Sequence, residues 1–383
     1  LALAFFFCEL SLFTSLLHCF TPQKRPGVVQ TVPLQHCFTK PNIVMQIHML
    51  AFLLFVQSFI ACQHVQENAP ELAANLAFQS GADTRQEPEK APIPAVNILF
   101  KSIDGGQSWQ DISAGLPGDK QVDCFLAQKG EVFLGYADGL YRSPITSTAA
   151  VWEKEFPLNG QITGIYPGQS GPFAHSLRDG LFQNISKGLW VPVFSNQNNQ
   201  MFRTIFETAD KTLFFGCDNG IFKSVDQGKT WKHVYENGWM IKMVESGGVL
   251  ICTNQQGILR SADGGEHWDV VVSEGGVGIE VEVIEGGFAA ITYNTTSETR
   301  RVRISADGGK TWQPIDAGLP PHALIASIKQ VGNYFFCGHP DGIFRSADQG
   351  KTWKLILPAI DKKVFNLSVS GNVIYAIPRA GGC

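Results

Sequence analysis

The sequence predicts an all-β fold in which seven four-stranded units close into a ring. Three observations predict it. A short pattern, S-x-D-x-G-x-[TSH]-W, recurs through the C-terminal three quarters of the chain. Apolar runs of strand length fill the intervals between its copies. The two ends of the repeat region hold complementary parts of one further unit.

Intact copies of the pattern are Ser102-Ile-Asp104-Gly-Gly106-Gln-Ser-Trp109, Ser224-Val-Asp226-Gln-Gly228-Lys-Thr-Trp231, Ser261-Ala-Asp263-Gly-Gly265-Glu-His-Trp268, Ser305-Ala-Asp307-Gly-Gly309-Lys-Thr-Trp312 and Ser346-Ala-Asp348-Gln-Gly350-Lys-Thr-Trp353. Two degenerate copies, Ser143 to Trp152 and Asn184 to Trp190, fill the gap. Starting points at 102, 143, 184, 224, 261, 305 and 346 give a period of about 40 residues. The run before each copy, such as Gly220-Ile-Phe-Lys-Ser224, reads as a strand, and the Trp introduces the next one. Between them the chain must reverse. The aspartate can accept hydrogen bonds from turn N–H groups outside the ladder, the glycine can take a positive φ, and the Trp can cover the hairpin. Asp104, Asp226, Asp263, Asp307 and Asp348, with Trp109, Trp231, Trp268, Trp312 and Trp353, are therefore read as structural.

Each unit carries two earlier strands, as in Met201–Phe206 and Thr212–Gly216, joined to the third by a tight turn such as Asp218-Asn219-Gly220. Four short strands per repeat define a propeller blade. The region begins at Ile98-Leu-Phe-Lys-Ser102, a third strand, and ends with Val364–Val369 and Asn372–Ile377, a first and second strand. Pairing these ends completes a seventh blade and removes the open edge.

The pattern resembles the Asp-box (BNR) repeat over essentially all of residues 97–383. A seven-bladed Asp-box propeller with short repeats looks like the photosystem II assembly factor-like proteins, the sortilin-type propellers and the single halves of xyloglucan-cleaving glycosidases; sialidases share the box, usually on six longer blades. The resemblance implies that first strands line a central channel. It also implies that the two-to-three and four-to-one loops form one face, with the boxes opposite. The fold hosts enzymes and binding proteins alike.

The 383 residues carry 30 basic and 34 acidic side chains, a net charge of −4 that makes no electrostatic case for nucleic acid. Of nine cysteines, five fall in the repeat region: Cys124, Cys217, Cys252, Cys337 and Cys383. An odd number without C-x-x-C spacing reads as buried free thiols rather than a disulfide or metal framework. Cys217, Cys252 and Cys337 are placed at equivalent repeat positions. No metal and no cofactor is expected.

Residues 1–44 share no pattern with the remainder of the chain and read as an upstream segment. Residues 45–62 read as a signal peptide, an apolar run ending in Phe59-Ile-Ala-Cys62. That ending resembles the lipobox of bacterial lipoproteins, with Cys62 as the lipidated residue. Residues 63–96 form a linker by composition. The expectation is an exported protein, either a periplasmic or cell-surface lipoprotein or a secreted one. It is expected to be a monomer with a possible membrane tether through Cys62. Asn184, Asn294 and Asn366 begin N-x-[ST] sequons, which matter only in a eukaryotic secretory pathway.

Aligning first strands places Asp123, Thr163, Arg203, Lys242, Glu280, Ile325 and Asn366 on one channel ring. Loops on the same face offer Tyr136, His175, Arg178, Asp218, Tyr293 and His339. Ligand-binding candidates are Asp123, Arg203, Lys242, Glu280, Asn366, Arg178 and His339. The expected function is a non-catalytic scaffold that binds a protein or glycan on the channel face. One alternative is an exo-acting glycoside hydrolase, sialidase-like or xyloglucanase-like, with Asp123, Glu280 and Tyr293 as catalytic candidates. Hydrolysis needs two carboxylates about 5 to 10 Å apart; a sialidase would also need three clustered arginines, drawn from Arg178, Arg203, Arg300, Arg301 and Arg379. Arg142, Arg260 and Arg345 precede the box serine and read as part of the repeat. The other alternative is an assembly factor for a membrane complex.

Overall fold

A computed structural model describes residues 95–118, 120–144, 150–194, 202–274 and 276–380. The upstream segment, the signal peptide with Cys62, nearly all of the linker, and Cys383 lie outside the described residues.

The described residues form 28 strands in seven four-stranded antiparallel sheets. Blades 1 to 6 run 124–155, 162–194, 202–235, 240–272, 276–314 and 327–358, each a simple meander from inner to outer strand. Blade 7 joins the chain ends. Val364–Ser370 is innermost, Val373–Arg379 second, Phe100–Ser102 third and Gln110–Asp111 outermost. The suture is the pairing of Phe100 with Ala376, Lys101 with Tyr375 and Ser102 with Ile374. The fold is the seven-bladed β-propeller expected from the repeat, closed within one blade.

The core divides into seven clusters, one between each pair of neighbouring blades. Leu99, Leu134, Tyr136 and Tyr375 fill the seam between blades 7 and 1, and Phe214, Met240, Met243 and Leu250 the seam between blades 3 and 4. Each second strand is buried on both faces, as in Leu213–Cys217, so its sequence reads as a continuous apolar run.

The boxes repeat one hydrogen-bond pattern. In blade 5 the Ser305 hydroxyl donates to Asp307 Oδ1 at 2.9 Å and accepts the Gly309 N–H at 2.9 Å. Asp307 also accepts the Thr311 N–H at 2.9 Å and its hydroxyl at 2.7 Å. Asp104, Asp226, Asp263 and Asp348 do the same work in their own turns. These bonds favour the carboxylate form and hold Asp104, Asp226 and Asp348 down at about 2. The Trp indole N–H closes the turn on the glycine carbonyl in Trp231, Trp268 and Trp312. In Trp353 it reaches the carbonyl of Ile315 instead. Arg260 and Arg345 donate across the seam to carbonyls of the next box, Gly308 and Gly105. They repeat with the fold, as expected.

The cysteine expectation needs one change. Cys124, Cys217, Cys252 and Cys337 are all buried free thiols, and burial pushes the Cys124 thiol up to about 12. Cys252 and Cys337 do share a position, opposite Leu259 and Phe344. Cys217 lies two residues further along its strand, opposite Gly220 at the turn.

The box glycines should be the least tolerant positions on the rim. Gly265 has φ +83°, and a Cβ there would meet the Phe214 ring at 2.5 Å. Gly130 has φ +81° with open space around it. Gly265→Ala is expected to cost about 2–4 kcal/mol in urea unfolding, and Gly130→Ala only about 1–2 kcal/mol, the backbone part alone.

Candidate functional site at the channel face

A meander places its one-to-two and three-to-four turns at one end and its two-to-three and four-to-one connections at the other. The boxes are three-to-four turns, so they occupy one face. The candidate loops occupy the other, around the mouth of the channel.

Strand register splits the expected ring in two. An extra residue interrupts the inner strand in four consecutive blades, at Thr163, Arg203, Ile241 and Ile279. The inner strands of blades 1, 6 and 7 pair without such a shift. Lys242 pairs with Thr253, Glu280 with Ile291 and Asn366 with Ile377. Cys124, Gly164, Thr204 and Ser327 occupy the same level in the other blades. Asp123, Thr163 and Arg203 lie one step closer to the mouth, and Ile325 two steps. The departures do not follow the bulges: blades 1 and 6 lack one and are off level, whereas Lys242 and Glu280 follow bulges and are on it.

The lower level holds a charge cluster. Lys242 Nζ donates to Glu280 Oε1 at 2.8 Å and also reaches Glu282. Lys329 Nζ donates to the same Glu280 oxygen at 2.9 Å and also reaches Glu282. The four side chains come from the inner strands of blades 4, 5 and 6. Glu280 and Glu282, two apart on one strand, point the same way and are flanked by a lysine from each side. Burial opposes ionisation of Glu282, but the two ammonium groups outweigh it and hold the carboxyl at about 2. Burial likewise opposes the charge on Lys242, and the two carboxylates outweigh it and raise its pKa. The cluster is formally neutral. Glu282 and Lys329 escaped the sequence reading. Their signal was the period-two spacing along the inner strands, Glu280-Val-Glu282 and Ser327-Ile-Lys329.

The remaining candidates are dispersed. Asp123, in blade 1, accepts the Gln161 amide at 3.2 Å. The inner strands of blades 7 and 6 stand between it and Glu280 on the shorter way round the ring. Arg203 pairs with Asp218 and stacks over the Trp239 ring, 4.5 Å from its centroid. Arg178 is 89% exposed beside Asp179. Tyr293 packs against the core between blades 5 and 6. Tyr136 is fully buried. Thr163 bonds the His175 ring at 2.7 Å, and His175 stacks on Phe202.

His339 is fully buried and engaged by its own chain. Its Nε2 donates to the Pro320 carbonyl at 2.9 Å, and its Nδ1 accepts the Asp341 N–H at 3.1 Å. It braces two loops and presents no ring nitrogen to a ligand, which corrects its place among the binding candidates. The arginines of the sialidase expectation are likewise separate. Arg300 donates to the Ile325 carbonyl at 2.7 Å and Arg301 makes a bidentate pair with Asp316 at 2.7 and 3.0 Å. Arg178 and Arg203 sit in blades 2 and 3.

Residues 303–314 match the family model described as BNR/Asp-box repeat. The repeat is an Asp box. No curated protein matches this sequence. Among solved structures, the Asp-box propeller is similar to the extracellular domain of a one-component system from B. thetaiotaomicron. The identity is 12% with a TM-score of 0.52, covering 65% of this chain and 36% of that one. The corresponding domain described as a hybrid two-component system from the same organism gives 12% and 0.52, with 67% and 38% coverage. The chain thus spans under two fifths of the length of these extracellular domains. YCF48 bound to D1 peptide gives 13% identity and a TM-score of 0.49, covering 75% of this chain and all of that one. These likenesses extend to the fold alone.

The charge cluster and the buried histidine each set a pH dependence. The Glu282 carboxyl is depressed, so its stabilising contribution is present above about pH 4.5 and is lost as pH falls toward 2. Glu282→Gln leaves two lysines on one carboxylate and should cost about 2 kcal/mol at neutral pH. Adding Lys329→Met should recover part of that loss and flatten the acid limb of the stability curve. Burial also lowers the pKa of His339 below 6.5. Its contribution is present above pH 6.5 and declines as pH falls below it. In His339→Gln, denaturation midpoints measured from pH 7.5 downward should lose that first decline.

Proposed function

We propose that this propeller is an exported, non-catalytic scaffold that binds a protein or a glycan through the loops of its channel face. One observation carries the reading. The charged groups that hydrolysis would recruit are committed to partners within the chain on separate blades, while contact-making side chains project from the same face. Phe156, in the four-to-one loop of blade 1, is 74% exposed. Leu177, in the adjoining two-to-three turn of blade 2, is 58% exposed, and Arg178 is its neighbour. The Leu177 N–H donates to the Gln161 carbonyl at 3.0 Å, which ties the turn to the end of the Phe156 loop. Mixed apolar and cationic loops on a rigid scaffold suit recognition rather than bond cleavage.

Export is supported by the apolar run ending at Cys62 and is in keeping with a fold also used in bacterial extracellular domains. A tether at Cys62 would hold the scaffold at a membrane surface, where an assembly role would also operate.

The test uses the full chain on glycan and peptide arrays, alongside a panel of fluorogenic glycosides that includes sialosides and xyloglucan oligomers. Binding should fall at least tenfold in Phe156→Asp and Leu177→Asp and stay unchanged in Val225→Asp, which alters the box face. Turnover by the parent protein that collapses in Asp123→Ala or Glu280→Gln would overturn the non-catalytic reading and place chemistry in the channel.

A further inference from the structure

The degenerate box of blade 1 leaves a polar group behind. In the five intact boxes the serine hydroxyl donates to the aspartate and accepts the glycine N–H, all at 2.8–2.9 Å. In the blade 1 copy, Ser143 retains the serine position, but Ile145 and Ser147 stand where the aspartate and glycine belong. The Ser143 side chain is buried, and its Oγ has no hydrogen-bond partner.

The residue facing it across the seam is also unusual. Beneath three of the intact boxes lies the second strand of the preceding blade, whereas Gly228 and Gly350 lie over Val193 and Ile315 of the preceding blade. A Cβ on Gly106 would meet the Phe336 ring at 2.8 Å, one on Gly265 the Phe214 ring at 2.5 Å, and one on Gly309 would meet Ile251. These three residues share a register position. Each pairs with the residue just before its own blade's box serine: Phe336 with Arg345, Phe214 with Lys223, Ile251 with Arg260. In blade 7 that position is Tyr375, paired with Lys101. So an apolar side chain supports an intact box, whereas Ser143 shares its seam with a tyrosine. The Tyr375 hydroxyl is buried and also has no partner.

Both side chains line one partly open cavity of about 10 Å³, together with Val132, Ile112 and Trp152. A site for one water needs roughly that volume and at least two polar partners. An apolar cavity of this size would stay dry, but two unpaired buried hydroxyls carry a desolvation cost that a shared water removes. We propose that this cavity binds one structural water molecule, held between Ser143 Oγ and the Tyr375 hydroxyl. The water replaces the aspartate and glycine partners that the blade 1 box has lost. It lies in the seam between blade 1 and the blade that closes the ring.

A high-resolution crystal structure of the full chain should show a solvent peak within hydrogen-bonding distance of both oxygens. A dry cavity, or a direct bond between the two hydroxyls, would overturn the proposal. Thermal unfolding gives a second reading. Ser143→Ala and Tyr375→Phe should each lower the midpoint, since each strands the remaining hydroxyl. The double variant should be no less stable than the weaker single, because no polar group is then left unpaired. Additive losses, or single variants that match the parent, would rule out a shared water.

Discussion

The closed ring rests on a short suture. Three residues of the third strand of blade 7 pair with three residues of its second strand, and these come from opposite ends of the repeat region. Every other blade is a local meander, formed from consecutive residues. Blade 7 alone must bring distant chain together, so it carries the loop-closure entropy for the whole ring. The gain is geometric. Once it forms, every inner strand has a neighbour on both sides and every seam has its own apolar cluster. The charge cluster and the mouth of the channel acquire fixed positions only then, because their members come from several blades.

Within that frame the two faces do different work. The box face is given over to repetition. Its aspartates, serines, threonines and glycines satisfy one another within each turn, and the arginines ahead of the box serines reach across to the next box. The channel face is irregular. Bulges in four consecutive inner strands displace Thr163 and Arg203 toward the mouth, and the loops there differ in length and composition from blade to blade. Repetition stabilises a ring. Departures from it give one part of the ring a surface that the other parts lack. The channel itself is not an open store of charge, because two lysines and two glutamates neutralise each other across blades 4 to 6.

Blade 1 shows how a repeat survives damage. Its box has lost the aspartate and the glycine, yet the seam keeps its packing. Trp152 still bonds across it, to the Ile112 carbonyl at 3.3 Å. Arg142, which occupies the place of Arg260 and Arg345, turns instead to Glu131, Glu153 and Glu155 of its own blade. The apolar side chains of the seam hold the blade in place while Arg142 finds its partners within the blade.

Fold class, blade count, the closing arrangement and the structural role of the box residues were all legible in the sequence. These properties arise from local chemistry repeated at a fixed period, and repetition makes a weak local signal readable. Buried free thiols were legible too, since the strand patterns around them are apolar. Which side chains meet at the axis was settled by the folded ring. Glu282 and Lys329 lie 47 residues apart and touch because blades 5 and 6 stand side by side at a given height. That height is set by strand register, which includes an extra residue in the inner strand of blade 5 and none in that of blade 6. Packing also turned His339, a plausible loop ligand by composition, inward between Pro320 and Asp341. A residue's place along a strand can be read from its neighbours in the chain. Its partner across a seam is set by register and packing, which the chain acquires only when the ring closes.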